Sequence, residues 1–192
     1  MRGIIVSLAF VLAFPALAQS PSVSEQVLEV ALNNVPHHFR SVGEEALWKL
    51  CNHQIAIAST TTAGGQEHLD RYLERAYATV IAEELSKAYA KVSSSPAELG
   101  LDNVQGIPIL SLAQFQTGSD SYDWQQLRQV YPEVGAVVRV SLPALDSSQS
   151  VGVVRYEVIS PRGRGWSGFS RFTRDASGGW KYDEGIVGDL WD

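Results

Sequence analysis

The sequence predicts an α+β fold, with N-terminal helices packed on one face of a C-terminal, four- to five-stranded antiparallel meander. Three observations predict it. Apolar residues recur at steps of three and four through the first half of the chain, and at steps of two after Gly135. Ser-x-x-Glu boxes, which open helices, stand at 22–25 and 41–44. Short Pro-, Ser- and Gly-rich turns separate the later strands, and connections that short pair neighbouring strands antiparallel.

The elements follow in order. Met1-Arg2-Gly3 is a short positive start, Ile4 to Phe14 is apolar, and Pro15 interrupts the run. Ala16-Leu17-Ala18 then presents the small residues a signal peptidase reads, so residues 1–18 are expected to be a signal peptide and 19–192 a single domain. The apolar run is too short for a permanent membrane anchor, which predicts a periplasmic or secreted protein. The first Ser-x-x-Glu box opens a helix expected to end near Val35, because Pro36 has no N–H to continue it. The second opens a helix through Leu47, Trp48 and Cys51, and 54–60 alternates like a strand. Leu69, Leu73, Tyr77, Ile81, Leu85, Ala88 and Val92 make one apolar stripe. That stripe predicts a single helix over 66–92, about 40 Å long, with Glu67–Arg71 and Glu83–Lys87 as surface pairs. Ile107-Pro108-Ile109-Leu110 reads as a short edge strand, where a proline is tolerated. Ser121 is placed to cap a helix bearing Trp124, Leu127 and Val130, ended by Tyr131-Pro132. Strands are expected over 136–142, 151–160, 166–174 and 179–183.

Composition narrows function by exclusion. The chain carries 15 Lys+Arg against 21 Asp+Glu, and this net acidity opposes general nucleic-acid binding. Its 45% hydrophobic content opposes disorder. One cysteine excludes a disulfide scaffold and a cysteine-based zinc site. Cys51 is read as a small buried hydrophobe, with an intermolecular disulfide as the alternative.

Across the last two-thirds of the mature chain, Trp124, Tyr131-Pro132, Gly135, Ser141, Val151 to Tyr156, Gly165, Gly168 and Gly179-Trp180-Lys181 fall in a recognisable order. The chain resembles a loose group of uncharacterised small exported bacterial proteins, in which a Tyr-Pro-x-x-Gly turn leads into an antiparallel hairpin and a Gly-Trp turn closes the final pair. That group often carries a cysteine pair where this chain has Pro161 to Trp166. The resemblance implies export and an α+β fold, and no activity. The helix-first order also resembles the nuclear-transport-factor-like cone, the alternative architecture, which implies a pocket between helix and sheet.

The motifs that suggest chemistry fail on context. Gly163-Arg-Gly165-Trp-Ser-Gly168 matches a dinucleotide-binding turn, but a strand-like run follows where a helix N-terminus is needed. Gly165-Trp-Ser167-Gly-Phe169 misses a nucleophile elbow by its last residue. Arg164 to Phe172 imitates an RNA-recognition signature with one residue inserted, which would turn its aromatics to opposite faces. His37, His38, His53 and His68 are not spaced as metal ligands, and no acid, base and nucleophile stand out as a triad. No catalytic residue, cofactor or metal is therefore expected.

One asymmetry survives. Residues 136–180 hold Arg139, Arg155, Arg162, Arg164, Arg171 and Arg174 without a lysine, while Asp183, Glu184, Asp189 and Asp192 crowd the C-terminus. These arginines either pair with that acidic end on a solvated sheet face or form part of an interface. Arg162, Arg164 and Trp166, on a glycine-rich hairpin tip, are the candidate binding residues. The reading is an exported non-enzymatic binding or accessory protein, an inhibitor or protective factor for an envelope or secreted partner. The alternative is a small-ligand binder or enzyme, with Trp48, Tyr72, Tyr77 or Trp124 lining a pocket.

Overall fold

The computed structural model describes residues 21–41, 55–76, 79–100, 103–104, 107–118, 121–161 and 165–191. Among these are four helices and ten strands, an α+β arrangement with a mostly antiparallel sheet.

Helix α1 (Val23–Ser41) opens at the expected box: the Ser22 N–H donates to Glu25 Oε2 at 2.5 Å and Glu25 N–H to Ser22 Oγ at 3.2 Å. The helix does not stop at Pro36. Val27, Leu28, Ala31 and Leu32 are buried against the sheet, and this packing outweighs the single backbone bond that a proline removes. The second expected helix, with Trp48 and Cys51, lies outside the described residues.

Strand β1 (Ile55–Ala58) is buried on both sides. The apolar stripe that predicts one long helix folds instead as two, α2 (Gln66–Ala76) and α3 (Thr79–Val92). Gln66 Nε2 donates to Ser86 Oγ at 2.9 Å, whereas in one continuous helix these residues would stand about 30 Å apart. The segments therefore lie back to back as a hairpin. Leu69, Leu73, Leu85 and Tyr89 share one core with Ala144, Val153 and Phe169. Folding back lets both segments bury their stripe on the sheet, where a straight rod would carry half of it past the edge.

The remaining strands are β2 (Asn103–Val104), β3 (Ile107–Leu110), β4 (Gln116–Gly118), β5 (Ser121–Tyr122), β6 (Ala136–Val140), β7 (Ala144–Leu145), β8 (Val151–Ile159), β9 (Gly165–Arg174) and β10 (Trp180–Trp191). Helix α4 (Trp124–Val130) is capped by Asp123, not Ser121: Asp123 Oδ1 accepts from Gln126 N–H at 2.9 Å. The main sheet runs β10-β9-β8-β6-β1-β3-β2, with β7 paired to β8. From β6 to β10 it is the expected antiparallel meander, although β10 continues well past Asp183. The meander's first strand, β6, then takes β1 as a parallel neighbour, and β1 takes β3 in parallel on its other side. β3 is thus one strand in from the edge, with two-residue β2 outside it.

Alternation assigns the two faces. Ile57, Val138, Tyr156, Trp166 and Phe172 pack with α1, while Ala56, Val137 and Ile159 pack with Leu127 of α4. Val153 and Phe169, also on the second face, pack with the α2–α3 hairpin. Helices therefore cover both faces rather than one, which also departs from the cone alternative. Among the described residues, no helix is long and apolar enough to cross a membrane.

Candidate functional site

β8 and β9 pair without a bulge from Val151↔Thr173 to Ile159↔Gly165. Arg162 and Arg164, in the connection between them, lie outside the described residues. Trp166 is only 1% exposed. It sits opposite Val158 and Leu190 on the face that α1 covers, so its ring is core and offers no contact surface. That corrects its assignment as a binding residue: the strand's alternation turns it inward at the second position of β9.

The other arginines divide into two groups on the opposite face. Arg139 of β6 pairs across the sheet with Glu157 of β8, and Arg155 lies two residues before Glu157 on the same side. Arg139 Nη2 contacts Glu157 Oε2, and Arg155 Nη2 reaches Glu157 Oε1 at 2.8 Å. The side chains are 11%, 12% and 5% exposed for Arg139, Arg155 and Glu157, so this triad is interior. It lies between the α2–α3 core and the α4 core.

The segment leaving β1 crosses directly over Arg155. Arg155 Nη1 donates to the Ala63 carbonyl at 2.5 Å, and Tyr89 Oη donates to the Gly64 carbonyl at 2.6 Å. Gly64 and Gly65 have φ of +83° and +81°, a region that side chains disfavour. A Cβ on Gly65 would stand 2.7 Å from Arg155 Nε, so glycine is required there by space as well as by conformation. Thr62 N–H donates to the Val140 carbonyl at 2.9 Å, which holds this crossing against the end of β6. Burial pushes the Tyr89 phenol well above its ordinary range, so it stays a neutral donor.

The second group is peripheral. Arg171 of β9 donates from Nε to Asp183 Oδ2 at 2.7 Å, its Nη2 lies 3.2 Å from Glu184 Oε2, and its Nη1 donates to Tyr72 Oη at 3.1 Å. Tyr72 Oη donates in turn to Glu184 at 2.9 Å, tying α2 to β10. Pairing of arginines with the acidic C-terminus thus holds for Arg171, while Arg139 and Arg155 meet Glu157 in the interior. The sequence does mark that pair. Arg139, Arg155 and Glu157 interrupt runs of Val, Ile and Tyr at alternate positions, and charges inside such runs are tolerated only if they meet.

Chemically, two guanidiniums about one carboxylate supply a fixed positive field and hydrogen-bond donors. They do not supply proton transfer, because arginine stays charged. β9 is strand throughout Gly165–Arg174, so Gly165 and Gly168 lie within a strand and open no helix for a dinucleotide or a nucleophile elbow. Of the pocket-lining aromatics expected, Trp48 and Tyr77 lie outside the described residues, Tyr72 is in the Arg171 network, and Trp124 packs edge-on against Tyr122. Among the described residues no three His, Cys, Asp or Glu side chains gather as metal ligands. No family profile, curated protein or solved structure matches the chain.

Proposed function

We propose that the chain is an exported, soluble, non-enzymatic binding or accessory protein that inhibits or protects an envelope or secreted partner, with Arg162 and Arg164 as its contact residues. The unbroken β8–β9 ladder supports this reading. It ends in buried Ile159, Ser160, Gly165 and Trp166, so the connection carrying the two arginines leaves from a fixed platform, the arrangement in which a short loop loses least entropy on docking. The N-terminal leader pattern of residues 1–18 is what supports an exported compartment. The test is recovery of envelope and secreted proteins on the immobilised domain, with an Arg162→Ala/Arg164→Ala double variant beside it. Selective capture that falls as salt rises and disappears in the variant, at an unchanged melting temperature, supports the proposal. Equal capture by the variant refutes the site.

A second reading, a small anionic ligand held between helix and sheet, draws on a different observation. β1 has parallel neighbours on both sides, and its carboxyl end leads into the Gly64-Gly65 crossing beside Arg155. Crevices at such strand ends commonly hold ligands in open sheets. Titration with inorganic phosphate and with a small carboxylate separates the two readings: saturable binding lost in Arg155→Met favours the second, and no binding removes it.

A further inference from the structure

We infer that Arg171 and the bulge at Asp183 form a device that keeps the outer edge of β10 from pairing with the same edge of a second copy of this chain. The two ends of the main sheet differ in what they expose. One ends in β2, only two residues long and too short to template another strand. The other ends in β10, twelve residues long, and among the described residues no strand pairs with its outer side. A long open edge promotes association, because its outward N–H and C=O groups repeat at the spacing of an incoming strand. Two copies laid antiparallel about a two-fold axis would cover both open edges at once.

β10 is interrupted, however. Its pairing with β9 steps from Tyr182↔Phe172 to Glu184↔Arg171, which leaves Asp183 as an extra residue, and a second step lies between Val187 and Leu190. Regular pairing is thus confined to the short runs 180–182, 184–187 and 190–191. The first step is pinned. Neighbours in a regular strand point to opposite faces, yet Asp183 and Glu184 both reach one guanidinium. Arg171 Nη2 lies 2.7 Å from Asp183 Oδ2 and 3.2 Å from Glu184 Oε2. Were the strand regular past Tyr182, Asp183 alone would stand opposite Arg171, and Glu184 would turn to the apolar face under α1, where Tyr182 packs edge-on against Phe172. Tyr72 Oη accepts from Arg171 Nη1 at 3.1 Å and donates to Glu184 at 2.9 Å, which anchors the bulge to α2. A bulge bends its strand and increases the local twist, so an incoming strand meets an edge that departs from it after a few residues.

The experiment compares the parent with two variants. Deleting Asp183 closes the step while leaving every other β9 partner of β10 in register, and so joins 180–187 into one regular run. Arg171→Met releases the clamp at unchanged chain length. Sedimentation equilibrium over a concentration series reads association, and hydrogen exchange of the 184–187 amides reads whether β10 is the surface used. The deletion variant should associate at a concentration roughly tenfold below that of the parent, a change that a few added cross-strand pairs supply. Exchange at 184–187 should slow as it associates, and Arg171→Met should shift in the same direction by less. Variants with native circular dichroism that associate no more tightly than the parent overturn the inference, as does association without slowed exchange at 184–187. If the deletion variant does not fold, Arg171→Met decides by the same two readings.

Discussion

Substituting Glu157 with Gln isolates the interior charge triad. The side chain keeps its shape, but its negative charge disappears and an NH₂ donor is turned toward one of two guanidiniums that are themselves donors. Glu157 is 5% exposed and the arginines 11% and 12%, so water can do little to replace the lost carboxylate. The mutual repulsion of the two guanidiniums, present in the parent as well, is then no longer offset by the carboxylate. Removing one partner of a buried pair costs about 3–5 kcal/mol, of which a lost charge-assisted hydrogen bond accounts for about 1.5–3 kcal/mol. Urea denaturation followed by tryptophan fluorescence, with the slope unchanged, should therefore show Glu157→Gln destabilised by about that amount. A triple variant, Arg139→Met/Glu157→Leu/Arg155→Met, removes the charges together and should lie within about 1–2 kcal/mol of the parent, the remainder being the lost link from Arg155 to the Ala63 carbonyl. Glu157→Gln within about 1 kcal/mol of the parent, or a triple variant weaker than the single one, would refute an interior triad.

Three further outcomes follow from the same geometry. Trp180, buried at 9% exposure in the core beneath α1, should cost about 3–5 kcal/mol when replaced by alanine, and an unchanged denaturation midpoint would place it on the surface. Gly65→Ala must meet both a positive φ and Arg155, whereas Gly100→Ala meets only φ +66° with nothing within 4 Å, so melting temperatures should fall further for Gly65. Equal losses would mean that the crossing over Arg155 adjusts freely. Burial opposes the charge on Asp146, but the Ser148 hydroxyl and the Val151 and Ser150 N–H groups outweigh it and hold the carboxyl below its ordinary range. A depressed carboxyl contributes stability above its unfolded pKa and loses it as pH falls through the folded value. The stability gap between parent and Asp146→Asn should therefore narrow on acidification below about pH 4, and a constant gap would show that the turn does not depend on the charge.

What the sequence reveals and what it hides divide along the range of the interactions involved. The Ser22–Glu25 cap and the Asp175 turn are legible because their partners lie within five residues, and the meander strands because alternation and short connections mark each of them locally. In that turn, for example, Asp175 Oδ1 accepts from Ser177 N–H at 2.8 Å. The α2–α3 hairpin is not legible. Its stripe keeps helical spacing on both sides of the break, no Gly or Pro marks residues 77–78, and the bend is set by the sheet surface on which both halves rest. Pro36 fails as a stop for the same reason, since the face of α1 that holds it against the sheet is a tertiary fact.

The arginines make the point most sharply, because local reading gives their residue types and spacing but not their solvent. Arg139, Arg155 and Arg171 all face the same side of the sheet, yet the first two meet a buried carboxylate, Glu157, and the third meets the more exposed Asp183 and Glu184. The difference is how much of that face the α2–α3 hairpin and α4 cover. Whether an arginine here is a contact residue or a strut is thus decided by helices that lie up to about a hundred positions away in sequence. The same reasoning separates Trp166 from Arg162 and Arg164. A strand residue inherits its side from alternation and is committed to the core once α1 covers that side, whereas residues between strands inherit no side at all. Any contact role in this hairpin therefore falls to its two arginines and not to its tryptophan.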